Sequence, residues 1–135
     1  MLNISHYKII AIGKIKKKWI QEGIEMYLKR LPGLEVKEIK DSTQSKEEHS
    51  IKEIISKNEI LITLNENGQS FTSKQLATKL LNSHNQNITF VIGGASGLPI
   101  SLNNKAAWQL SLSPLTFPHE IARLLLIEQL YRAKT

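Results

Sequence analysis

The chain has 135 residues, and its 18 Lys and Arg against 12 Asp and Glu give a formal net charge of +6. This length predicts a single domain with its own core, and the absence of cysteine excludes thiol nucleophiles and Cys-based zinc sites. The longest aliphatic run, residues 124–127, is far too short for a membrane span, and the first residues lack the features of a secretory signal. We therefore expect a cytoplasmic protein without membrane contact, whose positive charge favours polyanions such as RNA.

Apolar runs of strand length alternate with segments of helical period along the whole chain. The predicted strands are residues 7–12, 34–39, 59–64, 88–92 and 109–113. A turn at 65–69 follows the third strand, a short helix follows Pro99 to about Trp108, and the last helix runs from Pro118 through Ala133. This alternation predicts an α/β fold with a mainly parallel sheet of five to six strands and helices on both faces. Ligands of such sheets bind at the carboxyl ends of the strands.

A glycine-rich turn, "GGASG" at residues 93–97, follows the fourth predicted strand. Its G-G-x-x-G spacing matches neither the dinucleotide-binding nor the P-loop signature, and Ser96 lacks the second glycine of a nucleophile elbow. Two interpretations stay open at this point. The glycines either permit a tight turn with positive φ angles, or they let the backbone approach a ligand closely.

The segment "SLSPLTFPHE", residues 111–120, places hydroxyls, two prolines and a histidine between a strand and the last helix. The prolines stiffen a loop whose main-chain atoms could hold a flat, uncharged ring, and the alternative is a simple helix start. His119 lies in the first helical turn, where the positive helix end favours a neutral ring that orients the loop over a general base. No histidine of the chain has the spacing of a metal site, so no metal is expected.

The last helix, Arg132 and a cluster of lysines each allow a structural and a functional interpretation. The last helix is apolar around most of its circumference, so it is either central in the core or half of a subunit interface. Arg132 lies one turn after Glu128, and a simple helix salt bridge is the alternative to a functional role. A lysine cluster follows the first strand and is either a solvated loop or a contact for RNA phosphates. Its members are Lys14, Lys16, Lys17 and Lys18.

The segments "AIGKIKKKWIQEGIEMYLKRL", "FVIGGASGL" and "LSLSPLTFPHEIARLLLIEQLYRA" together resemble the bacterial large-subunit ribosomal RNA methyltransferase H family. Members of this family are pseudouridine-N3 methyltransferases of the SPOUT superfamily. The resemblance covers essentially the whole chain and implies one SPOUT domain over residues 1–135 with a C-terminal trefoil knot. It also implies S-adenosylmethionine as methyl donor and a homodimer with its site at the subunit interface. The implied substrate is a pseudouridine in helix 69 of 23S rRNA, presented by the assembled ribosome.

The same resemblance assigns roles to residues by motif match. It implies cofactor contacts at Leu64, Gly94, Leu112, Ser113, Pro114, Leu115, Thr116 and Phe117. Arg132 is the first candidate for a catalytic residue on the substrate side, and His119 is the second. The family continues after "YRA" with a tail that closes over the cofactor and reaches the target base, whereas this sequence stops at Thr135. We expect that the tail has been trimmed from the sequence; the alternative is a chain of this natural length that binds the cofactor without methyl transfer. The alternative from another class is a catalytically silent RNA- or ribosome-binding module with the same fold.

Overall fold

The computed structural model describes residues 2–56, 58–83, 86–94 and 96–134. After a short 3-10 helix at Ile4–His6, strands and helices alternate strictly. They are β1 (Tyr7–Ile12), α1 (Lys18–Leu28), β2 (Glu35–Ile39), α2 (Gln44–Ile54), β3 (Ile60–Ser70), α3 (Ser73–Leu81), β4 (Ile88–Ile92), α4 (Ile100–Lys105), β5 (Trp108–Ser111) and α5 (His119–Lys134). The five strands form one parallel sheet in the order β2-β1-β4-β3-β5. The predicted α/β class and parallel sheet are confirmed, whereas the trefoil knot stays a prediction.

Helices cover both faces of this sheet, as predicted. Successive side chains of a strand point to opposite faces, and Ile9 and Ile10 of β1 accordingly enter two different apolar clusters. Ile9 belongs to the larger cluster, which α1, α3 and α5 complete, while Ile10 packs in a smaller one with Ile51 of α2 and Leu102 of α4. Among the helices of the described ranges, none is long and apolar enough to cross a membrane.

The long helix α5 is central on the larger face, because it packs against α1, α3 and β4. Three side chains of α5 are fully buried, namely Leu126, Ile127 and Leu130. This confirms the interpretation that the apolar helix is central in the core. Its other aliphatic side chains, Ile121, Leu124 and Leu125, are only half-buried. Ile121 and Leu124 still pack against the larger cluster, so the core interpretation accounts for most of α5, and the interface interpretation stays a prediction.

The carboxyl end of β3 differs from the prediction of a turn at 65–69. Leu64 and Gln69 both lie in register with Leu110 of β5, so residues 65–68 bulge out of a strand that then returns to the sheet. Gly68 permits this return, because a Cβ there would lie 2.6 Å from the carbonyl oxygen of Gln109. We call residues 65–68 the β3 bulge.

The elements around β5 also end differently from their prediction. The short helix stops at Lys105 rather than near Trp108, because the N–H of Ala107 already donates to the carbonyl oxygen of Leu61 in the sheet. β5 ends at Ser111 rather than at residue 113, since the Ser111 hydroxyl donates to the carbonyl oxygen of Ser113 at 3.0 Å and turns the chain. The chain after β5 thus leaves the sheet at the carboxyl ends of the strands, the edge where parallel sheets generally bind ligands.

Candidate active site

A cleft of about 880 Å³ opens at the carboxyl ends of β3, β4 and β5. Its walls come from the start of the β3 bulge, from the glycine turn after β4 and from the segment between β5 and α5. The volume lies in the range of small-molecule sites, roughly 300–1,000 Å³. The segments that follow the third, fourth and fifth predicted strands therefore meet in one place.

The glycine turn is tight and also forms one wall of the cleft. The N–H of Gly97 donates to the carbonyl oxygen of Gly94 at 3.0 Å, and Gly97 has a positive φ of 76°. A Cβ on Gly93 would lie 2.7 Å from the carbonyl carbon of Gly97, so the two limbs of the turn pack backbone against backbone. The tight turn with a positive φ angle is confirmed, and close approach of the backbone to a ligand stays a prediction for this wall of the cleft. Ala95 lies outside the described residues.

The segment after β5 is tied across the cleft to the β3 bulge. The Ser111 hydroxyl shares its one hydrogen between the carbonyl oxygens of Ser113 and Glu66, the latter at 3.1 Å, and the Thr116 hydroxyl donates to the Glu66 carboxylate. The N–H of Leu115 donates to the Ser113 hydroxyl at 3.1 Å, which holds the apex of this segment, and the Leu115 side chain is exposed. Two walls of the cleft are thus hydrogen-bonded to each other.

The cleft offers buried polar atoms within mainly apolar walls. Asn103 and His119 both line it, and the Asn103 Oδ1 and His119 Nδ1 atoms are buried without a hydrogen-bond partner in the part of the chain that the structure describes. Leaving such an atom unpaired costs about 1–3 kcal/mol, so a ligand that reached it and supplied the missing partner would bind more tightly. Of the lining side chains described, Glu66 alone carries a formal charge.

Most of the cofactor contacts implied by the family resemblance lie together in this cleft. Pro114 belongs to the same segment but is not part of the lining. The lining includes Leu64, Gly94, Leu112, Ser113, Leu115, Thr116 and Phe117. Sequence reasoning missed Glu66 and Asn103, because nothing in the local pattern shows that the β3 bulge and α4 face the same cavity.

The loop between β1 and α1, together with the first residue of α1, adjoins the same edge of the sheet, and we call these residues, 13–18, the lysine loop. His119 packs its ring on Gly13, where a Cβ would lie 3.2 Å from the His119 Cε1 atom and where φ is +96°. The lysine side chains themselves are exposed. His119 therefore contacts both the cleft and the lysine loop, which agrees with an orienting role.

Two charged residues of α5 that the sequence did not single out as site residues also hold the lysine loop. One carboxylate oxygen of Glu120 accepts hydrogen bonds from the N–H groups of Lys16 at 2.6 Å and Lys17 at 3.0 Å. The hydrogen bond from Lys17 is the main reason that the pKa of Glu120 is lowered. Arg123 is buried, donating to the Gly13 carbonyl oxygen at 2.9 Å and pairing with Glu38 at 2.6 Å.

Arg132 lies away from the cleft. It is about 20 Å along α5 from His119, as thirteen residues of helical rise imply, and it is not among the lining residues. Its exposed guanidinium forms an ion pair with the Glu128 carboxylate, the helix salt bridge that its spacing predicts.

No cluster of three or more potential metal ligands occurs among the described residues.

Comparisons with known proteins agree with this architecture. A family model described as "Predicted SPOUT methyltransferase" matches residues 5–135. The chain is 93% identical over 135 residues to Ribosomal RNA large subunit methyltransferase H of Prochlorococcus marinus (strain NATL1A), covering 100% of this chain and 93% of that protein. It is 57% identical over 134 residues to the protein of the same name from strain MIT 9211, covering 99% and 92%.

Two solved structures share the fold at low sequence identity. A probable methylase family protein from Haemophilus influenzae Rd KW20 aligns with a TM-score of 0.67 and 13% identity, covering 97% of this chain and 67% of that one. The SpoU methyltransferase AviRb from Streptomyces viridochromogenes, in complex with AdoMet, aligns with a TM-score of 0.51 and 10% identity, covering 94% and 57%. At these identities the similarity concerns the fold alone.

Proposed function

The chain belongs to the ribosomal RNA large subunit methyltransferase H family of SPOUT methyltransferases, and on that premise we propose its cofactor and its target. As an rRNA methyltransferase, it transfers the methyl group of S-adenosylmethionine to N3 of a pseudouridine in helix 69 of 23S rRNA. It acts on assembled ribosomes in the cytoplasm. The observation that carries this proposal is the meeting of the glycine turn, the β3 bulge and the segment after β5 in one cleft.

The cleft fits S-adenosylmethionine by its chemistry. This cofactor carries no phosphate, which agrees with a glycine turn that lacks phosphate-binding signatures. Its adenine needs apolar walls and hydrogen-bonding partners, and the cleft has apolar walls from Leu64, Leu112 and Phe117 with an unpaired Asn103 Oδ1 atom. Gly94 adds bare backbone at the same wall. The bound cofactor supplies an electrophilic methyl group.

The basic edge beside the cleft is the proposed RNA contact. Lys14, Lys16, Lys17 and Lys18 have exposed side chains. Such lysines attract phosphates without reading sequence. Their backbone is held against α5, so bound RNA would lie at the edge of the sheet where the cleft opens.

The chemistry of the methyl acceptor, N3 of pseudouridine, determines what the other residues of the site must do. N3 of pseudouridine is a poor nucleophile while it carries its proton, so the site must position the ring and let this proton leave to a base or to solvent. His119, whose ring is fixed against Gly13, is the proposed orienting group. Arg132 is the proposed contact on the substrate side.

A homodimer accounts for the separation between Arg132 and the cleft. Trp19 and Met26, seven residues apart on α1, are exposed, and α1 packs beside the half-buried side of α5. A second copy that covers this apolar surface would place its own α5 against the site. Arg132 of one subunit would then serve the cleft of the other.

The dimer is tested by sedimentation of the purified protein at micromolar concentration. Trp19→Glu with Met26→Glu should convert a dimer to a monomer, because each change places a charge in an apolar interface. Ile100→Glu, at an exposed apolar position on α4, is the matched control and should stay dimeric. A monomeric wild-type protein would rule the dimer out.

The reaction is tested by transfer of a labelled methyl group to ribosomes that lack the modification, with bare 23S rRNA in parallel. Mass spectrometry of RNA fragments then locates the methylated nucleotide. The proposal requires label at N3 of a helix 69 pseudouridine and more label on ribosomes than on bare RNA. Ribosome binding without cofactor affinity would instead identify a silent binding module.

The roles of the two candidate catalytic residues can be told apart by measuring both methyl transfer and the affinity for S-adenosylmethionine. Arg132→Ala should lower methyl transfer while the dissociation constant for S-adenosylmethionine stays at its wild-type value, because Arg132 is outside the cleft lining. His119→Ala should weaken cofactor binding, since His119 lines the cleft and packs on Gly13. Wild-type transfer by the first variant, or unchanged cofactor affinity in the second, would remove the respective role.

A further inference from the structure

The first turn of α5 connects the cofactor cleft to the lysine loop. On one side, the segment of residues 112–117 lines the cleft and leads directly into α5 at His119. On the other side, His119, Glu120 and Arg123 contact the two ends of the lysine loop. A displacement of this turn therefore moves both surfaces.

Glu120 supplies a helix cap that α1 lacks in its own sequence. Lys17 is the N-cap residue of α1, and its side chain makes no capping hydrogen bond. In a capping box the third helical residue is Glu or Gln and accepts from the N-cap N–H, but α1 has Ile20 at that position. The Glu120 carboxylate accepts this N–H from another helix, along with the N–H of Lys16.

The start of the lysine loop is fixed to the same helix. The buried Arg123 donates to the carbonyl oxygen of Gly13. The N–H of Gly13 in turn donates to the carbonyl oxygen of Ile39 at 2.8 Å. The ring of His119 covers the Cα atom of Gly13. Only the lysine side chains remain exposed, so the backbone that carries them follows α5.

We propose that Glu120 is a positioning residue that couples binding of the cofactor to binding of the RNA, an inference that rests on the proposed function. Cofactor in the cleft fixes the position of residues 112–117, and because these residues lead into α5, it also fixes the first turn of that helix. Glu120 in this turn then holds the backbone of Lys16 and Lys17. RNA phosphates held by the lysine loop favour the same arrangement. By linkage, each ligand strengthens the binding of the other by the same factor.

The test compares ribosome affinity with and without saturating S-adenosylhomocysteine, which has no methyl group to transfer. In the wild-type protein the ratio of the two dissociation constants should be about 5 or more, within the usual range of coupling. Glu120→Ala should bring the ratio to about 1 while cofactor affinity without RNA stays near wild type. Glu120→Gln keeps an acceptor oxygen but loses the charge, so its ratio should lie between these values.

Glu25→Ala on α1 is the matched control. It makes the same change in net charge and removes an exposed carboxylate that accepts only from Gln21 among the hydrogen bonds described. Its ratio should equal the wild-type ratio, which separates a general gain in RNA attraction from the loss of the contact. If Glu120→Ala does not fold, the nearly isosteric Glu120→Gln variant decides the question.

The outcomes distinguish the inference from the proposed function. A wild-type protein that binds both ligands with a ratio of 1 overturns the coupling and leaves the proposed function standing. A wild-type ratio kept unchanged in both Glu120 variants also overturns it. Failure of the wild-type protein to bind either ligand overturns the proposed function and the coupling together.

Discussion

Gly93→Ala should weaken cofactor binding without unfolding the protein. The added Cβ would lie 2.7 Å from the carbonyl carbon of Gly97 and 2.9 Å from the nitrogen of Leu98, whereas ordinary contact begins at 3.4 Å. Both atoms belong to backbone, so the glycine turn must shift by several tenths of an ångström. Overpacking of this kind costs about 1–3 kcal/mol. Because the turn is a wall of the cleft, the cofactor must push it back to its wild-type position and meet this cost on binding, which corresponds to a roughly 5- to 150-fold larger dissociation constant for S-adenosylmethionine.

The measurement is calorimetric titration with S-adenosylmethionine, and Gly23→Ala on α1 is the matched control. A Cβ on Gly23 would lie 3.3 Å from the Cδ1 atom of Leu124, the end of a flexible side chain that can move aside. Alanine also favours a helix more than glycine does, so this variant should keep cofactor affinity within about twofold of wild type. Equal affinities of Gly93→Ala and wild type would refute the assignment of the glycine turn to the cofactor site.

Four further predictions concern charge and burial. The pKa of Glu120 is lowered from 4.5, so its hold on the lysine loop should persist at pH 4.5 and fail as the pH falls through the lower value, seen as faster amide exchange at Lys16 and Lys17. Burial raises the pKa of Tyr7 from 10.0 to about 12, so stability should be full below pH 10.0 and decline as the pH rises towards 12. Tyr7→Phe removes a buried hydroxyl that has no partner among the described residues, and should be neutral or stabilising by about 1 kcal/mol in urea unfolding. Replacing the four lysines of the lysine loop by alanine should lower the slope of log affinity against log salt for ribosome binding by about one per lysine; an unchanged slope would contradict an RNA contact.

The layers of the fold follow from the sequence because burial leaves a local signature. The apolar run "ITFVI" predicts a central strand from its composition alone. The structure confirms this, because β4 is buried at every position. The capping box of Thr72 and Gln75 likewise fixes the start of α3 from residues three apart. Such features depend on neighbours in the chain, which the sequence displays directly.

The contacts that build the site have no such local signature. Arg123 and Gly13 are separated by 110 residues, and Glu120 meets Lys16 across 104. The β3 bulge was predicted as a turn, because the pairing of Gln69 with Leu110 depends on where β5 joins the sheet. Only the strand order β2-β1-β4-β3-β5 brings these segments to one edge.

The hydrogen bonds between Glu66 and the segment after β5 also bear on the order of folding. Glu66 and Thr116 are 50 residues apart, and Leu110 must already lie in the sheet before the β3 bulge can meet this segment. Contacts of such long range form late, because the entropy of loop closure is lost before they stabilise the chain. In a refolding experiment, the recovery of cofactor affinity should therefore lag behind the return of helix, and would report the moment at which the last strand has joined the sheet.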